Sequence, residues 1–126
     1  MEKKVIHTAH APQAIGPYSQ AVQVGNMLFL SGQIAINPQL GELEMKDIQS
    51  ETHRVMQNII AVLEAAEYTL SQVAKTTIFL SSMDHFQTVN TVYASYFKDS
   101  FPARETVAVA GLPKNVNVEI SMIACK

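Results

Sequence analysis

Four polar side chains stand in apolar company in this sequence: Tyr18, Asn90, Arg104 and Glu119. Arg104 lies in "FPARETVAV", where Pro102 and Ala103 lead into an alternating, strand-like run. A guanidinium is permanently charged, and its planar fork of donors meets a carboxylate in bidentate fashion. Unless Arg104 is an ordinary solvated strand end, something anionic comes to meet it. Glu119 falls in the middle of "VNVEISMIAC", where an acid is poorly placed for β-structure. Tyr18 follows "IGP", a turn that would hold its ring in a defined direction. Asn90 interrupts the apolar stripe of a helix. Taken singly, each has a bland explanation: a mid-strand Glu usually faces solvent, and a helix Asn often bonds only a neighbouring backbone.

Other chemistries find little support. His7, His10, His53 and His85 are scattered, and no Cys/His spacing resembles a zinc site. Ser31 sits in "LSGQ" without the glycine-flanked elbow of a nucleophilic serine. The five glycines are dispersed, so no phosphate-cradling loop joins a strand to a helix.

These side chains need a scaffold, and the periodicity supplies one. "KKVIHT" reads as a short strand, and "QAVQV" and "MLFLSG" as a hairpin turning on Gly25-Asn26. From Asp47 to about Glu67, Ile48, Thr52, Val55, Ile59, Val62 and Ala66 recur at helical spacing, widened by Met56 and Leu63, with charges expected on the other side. No Gly supplies a left-handed cap at its end. "VAKTTIFLSS" is a β-branched strand. Asp84 is the expected N-cap of a second helix bearing Phe86, Val89, Tyr93, Tyr96 and Phe97 on one face. "ETVAVAG" and "VNVEISMIAC" close the chain as strands.

The class is therefore α+β, with two helices packed on one face of a mixed sheet of about six strands. Both parities of "ETVAVA" are apolar after its first residue, which predicts burial on both faces. The helices can cover only one, so a homo-oligomer is expected. The length of 126 residues implies one domain, 1–126. A net charge of −2, with nine Lys and Arg dispersed, offers no basic stripe and argues against nucleic acid. The single Cys125, the absence of a signal-like start and the lack of any membrane-length apolar run suggest a cytoplasmic protein, with no membrane partner.

"AIGPYSQAV", "LFLSGQIAINPQLGEL", "VNTVY", "YF", "FPARETVAVAGLPKNVNVEI" and the terminal "IA" together resemble the Rid family, the reactive intermediate (imine/enamine) deaminases. The match is collinear along nearly the whole chain. The resemblance implies a chorismate-mutase-like fold, a homotrimer whose sheets line an inner barrel, and three clefts between neighbouring subunits. It implies hydrolysis of 2-imino or 2-enamino acids to 2-keto acids and ammonia, with no cofactor and no metal. On this resemblance Arg104 holds the substrate carboxylate and Glu119 positions or activates the hydrolytic water. Tyr18, Ser31, Gly32 and Asn90 line the cleft. Thr106 also belongs to it, where close relatives commonly carry Cys. Glu51 and Glu67 depart from the family pattern outside the expected cleft, where Gln and a helix-ending Gly are frequent. Two other functions stay open on the sequence: a keto-acid-binding regulatory module, and an RNA-cleaving translation inhibitor.

Overall fold

The computed structural model describes residues 1–126. Its framework is one six-stranded sheet: β1 (Lys3–Ile6), β2 (Ala21–Val24), β3 (Met27–Gln33), β4 (Val73–Leu80), β5 (Ala103–Ala108) and β6 (Val118–Cys125). The spatial order is β1-β2-β3-β6-β4-β5. All pairs are antiparallel except β4 with β5. A parallel pair needs a crossover, which helix α2 (Phe86–Ala94) provides; α1 (Ile48–Ala65) joins β3 to β4. The expected α+β architecture, a mixed sheet with both helices on one face, is the observed one.

The β2–β3 hairpin turns through Gly25 and Asn26, with Val24 paired to Met27. Gly25 takes φ +59, the positive value that the first position of such a turn demands. Asp47 caps α1: its carboxylate accepts from the Ser50 amide at 2.7 Å, and that bond holds its pKa below the ordinary value. The predicted stripe is buried at Thr52, Val55, Met56, Ile59, Val62 and Leu63, in one core with Leu28, Leu30, Ile120 and Met122. At the far end Glu67 itself adopts φ +63, doing without glycine, and its carbonyl accepts from Lys126 Nζ at 3.2 Å.

Three expectations need correction. The charges of α1 do not all face outward, because Glu51 is fully buried. Asp84 does not cap α2. Residues Met83–His85 form a 3₁₀ turn in which Ser82 Oγ accepts from the Asp84 amide at 3.1 Å, and the regular helix starts only at Phe86. It stops at Ala94, so Tyr96 and Phe97 pack against the core from the turn beyond it. Finally, the helices do not bury even one face of β5 within the chain: every residue except the half-buried Thr106 is exposed. The strand is an edge with β4 as its single neighbour.

On β6 the alternation is clean. Val118, Ile120, Met122 and Ala124 are buried under the helices, while Glu119, Ser121 and Ile123 point to the other face. No helix is long and apolar enough to cross a membrane.

Candidate functional site

A β-bulge builds the first half of the site. Leu30 pairs with Met122 but Gln33 with Ile120, so β3 carries one extra residue across Ser31 and Gly32. The bulge frees these two residues from the regular ladder. Ser31 turns to the preceding loop, its amide donating to Gln20 O at 3.0 Å and its hydroxyl to Ser19 O at 2.6 Å. Gly32 lies directly against the Glu119 side chain: a Cβ there would overlap Oε2 and come within 2.8 Å of Cδ. Its φ is not in the left-handed range, so the effect of a side chain here is steric: it would make the Glu119 carboxylate move.

Glu119 therefore lies along the floor of a hollow of about 520 Å³, whose rim includes Tyr18, Ser31, Gly32, Ile34, Ile36 and Lys114. Burial pushes the Glu119 carboxyl above its ordinary pKa, because a partly dry surround disfavours the charged form. Tyr18 is half exposed at the rim, set by a turn in which its amide donates to Gly16 O at 2.9 Å.

Asn90 and Arg104 are elsewhere. They line a second hollow of about 350 Å³ with Tyr93, Ala94, Phe101 and Pro102. Arg104 Nη1 donates to Asn90 Oδ1, and the guanidinium lies 5.7 Å from the Phe86 ring and 5.5 Å from that of Tyr93. Aromatic faces and one amide hold the fork without neutralising it. The ion pairs of the chain are Arg54–Glu44 and Lys75–Glu105, so Arg104 has no acidic partner. Thr106 follows on the same side of β5, with its buried hydroxyl lacking any hydrogen-bond partner.

The two halves occupy opposite faces of the sheet. Arg104 pairs with Thr76, a buried residue whose hydroxyl accepts from Tyr93 of α2 at 2.9 Å, so both belong to the helix face. Glu119 pairs with Phe79 on the open face. Strand β4 separates them. Within one chain the guanidinium and the carboxylate cannot grip the same small molecule.

The structure also adds residues that sequence reasoning missed. Lys114 carries no signal in the sequence beyond its place in "GLPKNVNVEI". It lines the Glu119 hollow and takes φ +56, as does its neighbour Asn115, two strained residues in succession. Gln20 is buried and ties down the loop that forms another wall, accepting from the Thr8 amide at 2.7 Å and donating to Pro12 O at 2.8 Å. No sequence signal separates such a glutamine from a surface one.

The α+β sheet thus carries a bulge-seated carboxylate in one open hollow and an unneutralised guanidinium in another. Known proteins share this fold and much of this sequence. Residues 8–126 match the family model described as endoribonuclease L-PSP. The solved structure of YyfA from Yersinia pestis, described as a member of the conserved Rid protein family, is 49% identical, with a TM-score of 0.97 over 99% of this chain and 100% of that one. A 2-iminobutanoate/2-iminopropanoate deaminase from Dermatophagoides farinae is 47% identical over 96% of this chain and 94% of its own. The structure of E. coli TdcF with bound serine is 40% identical, with a TM-score of 0.94 over 98% of both chains. The chain belongs to the Rid family.

Proposed function

We propose that three copies of this chain assemble so that the Asn90–Arg104 hollow of one closes over the Glu119 hollow of the next. The completed cleft hydrolyses 2-imino and 2-enamino acids to 2-keto acids and ammonia without a cofactor. The observation that carries this reading is the placement of an unpaired guanidinium and a seated carboxylate on opposite faces of one sheet. A contact between copies brings them together, and a head-to-tail contact repeated with the right rotation closes into a ring. The exposed β5 and the open sheet face would be covered by the same contact. The deaminase among the relatives supports the reaction class.

The chemistry needs few groups. An enamino acid tautomerises to the imine, and the protonated iminium is electrophilic at carbon. Arg104 holds the substrate carboxylate, and the Thr106 hydroxyl and Asn90 complete that end. Glu119 of the adjoining copy takes a proton from water as its oxygen bonds to the iminium carbon and the C=N pair moves to nitrogen. The Glu119 proton then passes to the amine of the carbinolamine. The C–N bond breaks as the hydroxyl loses its proton to Glu119, giving keto acid and ammonia, and ammonia removes the last proton as ammonium. Such acid–base help from a positioned carboxylate is worth about 10²–10⁴-fold.

The direct test couples a threonine or serine dehydratase to this protein and follows decay of the released imine. Accelerated formation of keto acid and ammonia is expected. Decay at the uncatalysed rate, with the assembly intact by light scattering, rejects the reading. Gly32→Ala is expected to lower kcat by about 10²-fold, since the new methyl displaces Glu119 from its seat. Wild-type kcat in that variant would show that the seat is not used. Thr106→Cys should change kcat/KM by less than about threefold, because a thiol is also a donor of similar size. A larger gain would make the thiol an active participant.

A second reading is a binding module that senses an amino or keto acid, favoured by the serine held in TdcF. Ligand binding by calorimetry with no imine turnover would select it. RNA cleavage, named in the description of the family model, ranks below both, since nine dispersed Lys and Arg make no basic groove.

A further inference from the structure

Three polar side chains of α1 are buried; Thr52 satisfies its hydroxyl within the helix at Ile48 O, which leaves Glu51 and Asn58 reaching outside it. Glu51 and Asn58 are both fully inaccessible, and their spacing of two helical turns aligns them. Glu51 Oε2 accepts from the amides of Asn117 at 2.8 Å and Val118 at 3.0 Å, and Oε1 accepts from Asn117 Nδ2 at 3.0 Å. No cation pairs with it, because the ion pairs of the chain lie elsewhere. Asn58 Nδ2 donates to Ile34 O at 3.0 Å and Ile36 O at 2.9 Å, while its own Oδ1 has no partner.

Stability alone does not call for these residues. A buried carboxylate without a cation and a buried amide oxygen without a donor both cost free energy that an apolar residue would not. What the two share is their target. Asn117 and Val118 immediately precede Glu119, and Ile34 and Ile36 form the facing wall of the same hollow. Asn117 is also fixed from its other side, where its carbonyl accepts from the Ser81 amide at 2.9 Å and its Oδ1 from Ser81 Oγ at 2.8 Å. A pull on Asn117 by Glu51 is therefore passed into β6 and not absorbed by a loose loop.

We propose that Glu51 and Asn58 are positioning residues: α1 sets the two walls of the Glu119 hollow from behind, Glu51 fixing the entry to β6 and Asn58 fixing the segment after the bulge. This rests on reading that hollow as the deaminase site, and the test separates the two. Glu51→Ala is expected to lower kcat by about 10²-fold, and Glu51→Gln, which keeps an acceptor for both amides, by no more than about threefold. In a Glu119→Gln background, Glu51→Ala should add less than about twofold, because a residue acting through Glu119 has nothing left to position. Asn58→Ala is expected to raise KM more than it lowers kcat. Should Glu51→Ala fail to fold, Glu51→Asp, one methylene short of the amides, carries the same expectation. The crystal structure of the variant gives a readout that needs no activity: the Glu119 carboxylate must leave Gly32. A carboxylate still seated there, a full additive loss in the Glu119→Gln background, or wild-type kinetics in either Ala variant overturns the proposal. An inactive wild-type protein with Glu119 displaced in the Glu51 variant would instead fault only the deaminase reading.

Discussion

Arg104→Ala should abolish imine hydrolysis while leaving the assembly and its thermal midpoint close to wild type. The side chain is exposed in the chain, and its contacts are one amide and two ring faces, so little of the core depends on it. Each charge-assisted hydrogen bond to a substrate carboxylate contributes about 1.5–3 kcal/mol, so loss of a bidentate pair predicts a fall in kcat/KM of roughly 10²–10⁴-fold. Arg104→Lys should recover only part of this, since an ammonium cannot reproduce the planar fork. Mixing supplies a sharper result. Chains carrying Arg104→Ala and chains carrying Glu119→Gln are each inactive alone. After unfolding and joint refolding, about one quarter of the clefts should pair an intact guanidinium with an intact carboxylate if the halves come from different copies. Recovery of activity on mixing is the expected outcome. Two inactive proteins that stay inactive together, with mixed assemblies shown by mass spectrometry, would mean that Arg104 and Glu119 do not serve one shared cleft.

Glu119→Gln should lower kcat by about 10²–10⁴-fold while changing the affinity for a keto-acid product far less. Equal losses in both would reduce Glu119 to shaping the pocket. The pH dependence follows from the raised carboxyl, whose cause is burial. The base form is the ionised one, so activity falls as pH drops through the raised pKa, and the acid limb lies above that of an exposed glutamate. Stability has the opposite sign. Between the unfolded and folded pKa values the native state binds more protons than the unfolded one, so stability declines as pH rises through that window. Above it, ionised Glu119 is a standing cost that Glu119→Gln removes. The variant should therefore melt higher than wild type at neutral pH, with the difference vanishing in acid. A lower melting point at neutral pH would show that the carboxylate is held by favourable contacts and not strained by its burial. The proposed role of Glu119 as a base and the stability of the fold pull in different directions, as is common where function needs a desolvated group.

The elements were legible where local rules act alone. Alternation on β6 separates Glu119 from Val118 and Ile120, because successive side chains of a strand must point to opposite faces. The 3.6 period of α1 places Val55, Ile59 and Val62 in the core, and Asp47 caps it by local geometry. Motifs in chain order carried the resemblance that named Tyr18, Ser31, Gly32, Asn90, Arg104, Thr106 and Glu119. The start of α2 is not legible in the sequence because Ser82 and Asp84 are chemically similar caps, and only the 3₁₀ turn decides between them.

Tertiary structure decided the rest, and the reason is distance along the chain. Whether two side chains share a face of a sheet depends on strand order and register, which pair Arg104 with Thr76 and Glu119 with Phe79 from segments far apart in sequence. That pairing splits the site into two halves. The burial of Glu51 and Asn58 was hidden likewise: on a helix they resemble solvated residues, and only the arrival of Asn117, Val118, Ile34 and Ile36 gives them partners. Sequence alone determined which groups can do the chemistry, because charge and hydrogen-bonding capacity belong to single side chains. The fold decided where each one points, because direction is a property of the pairing between strands.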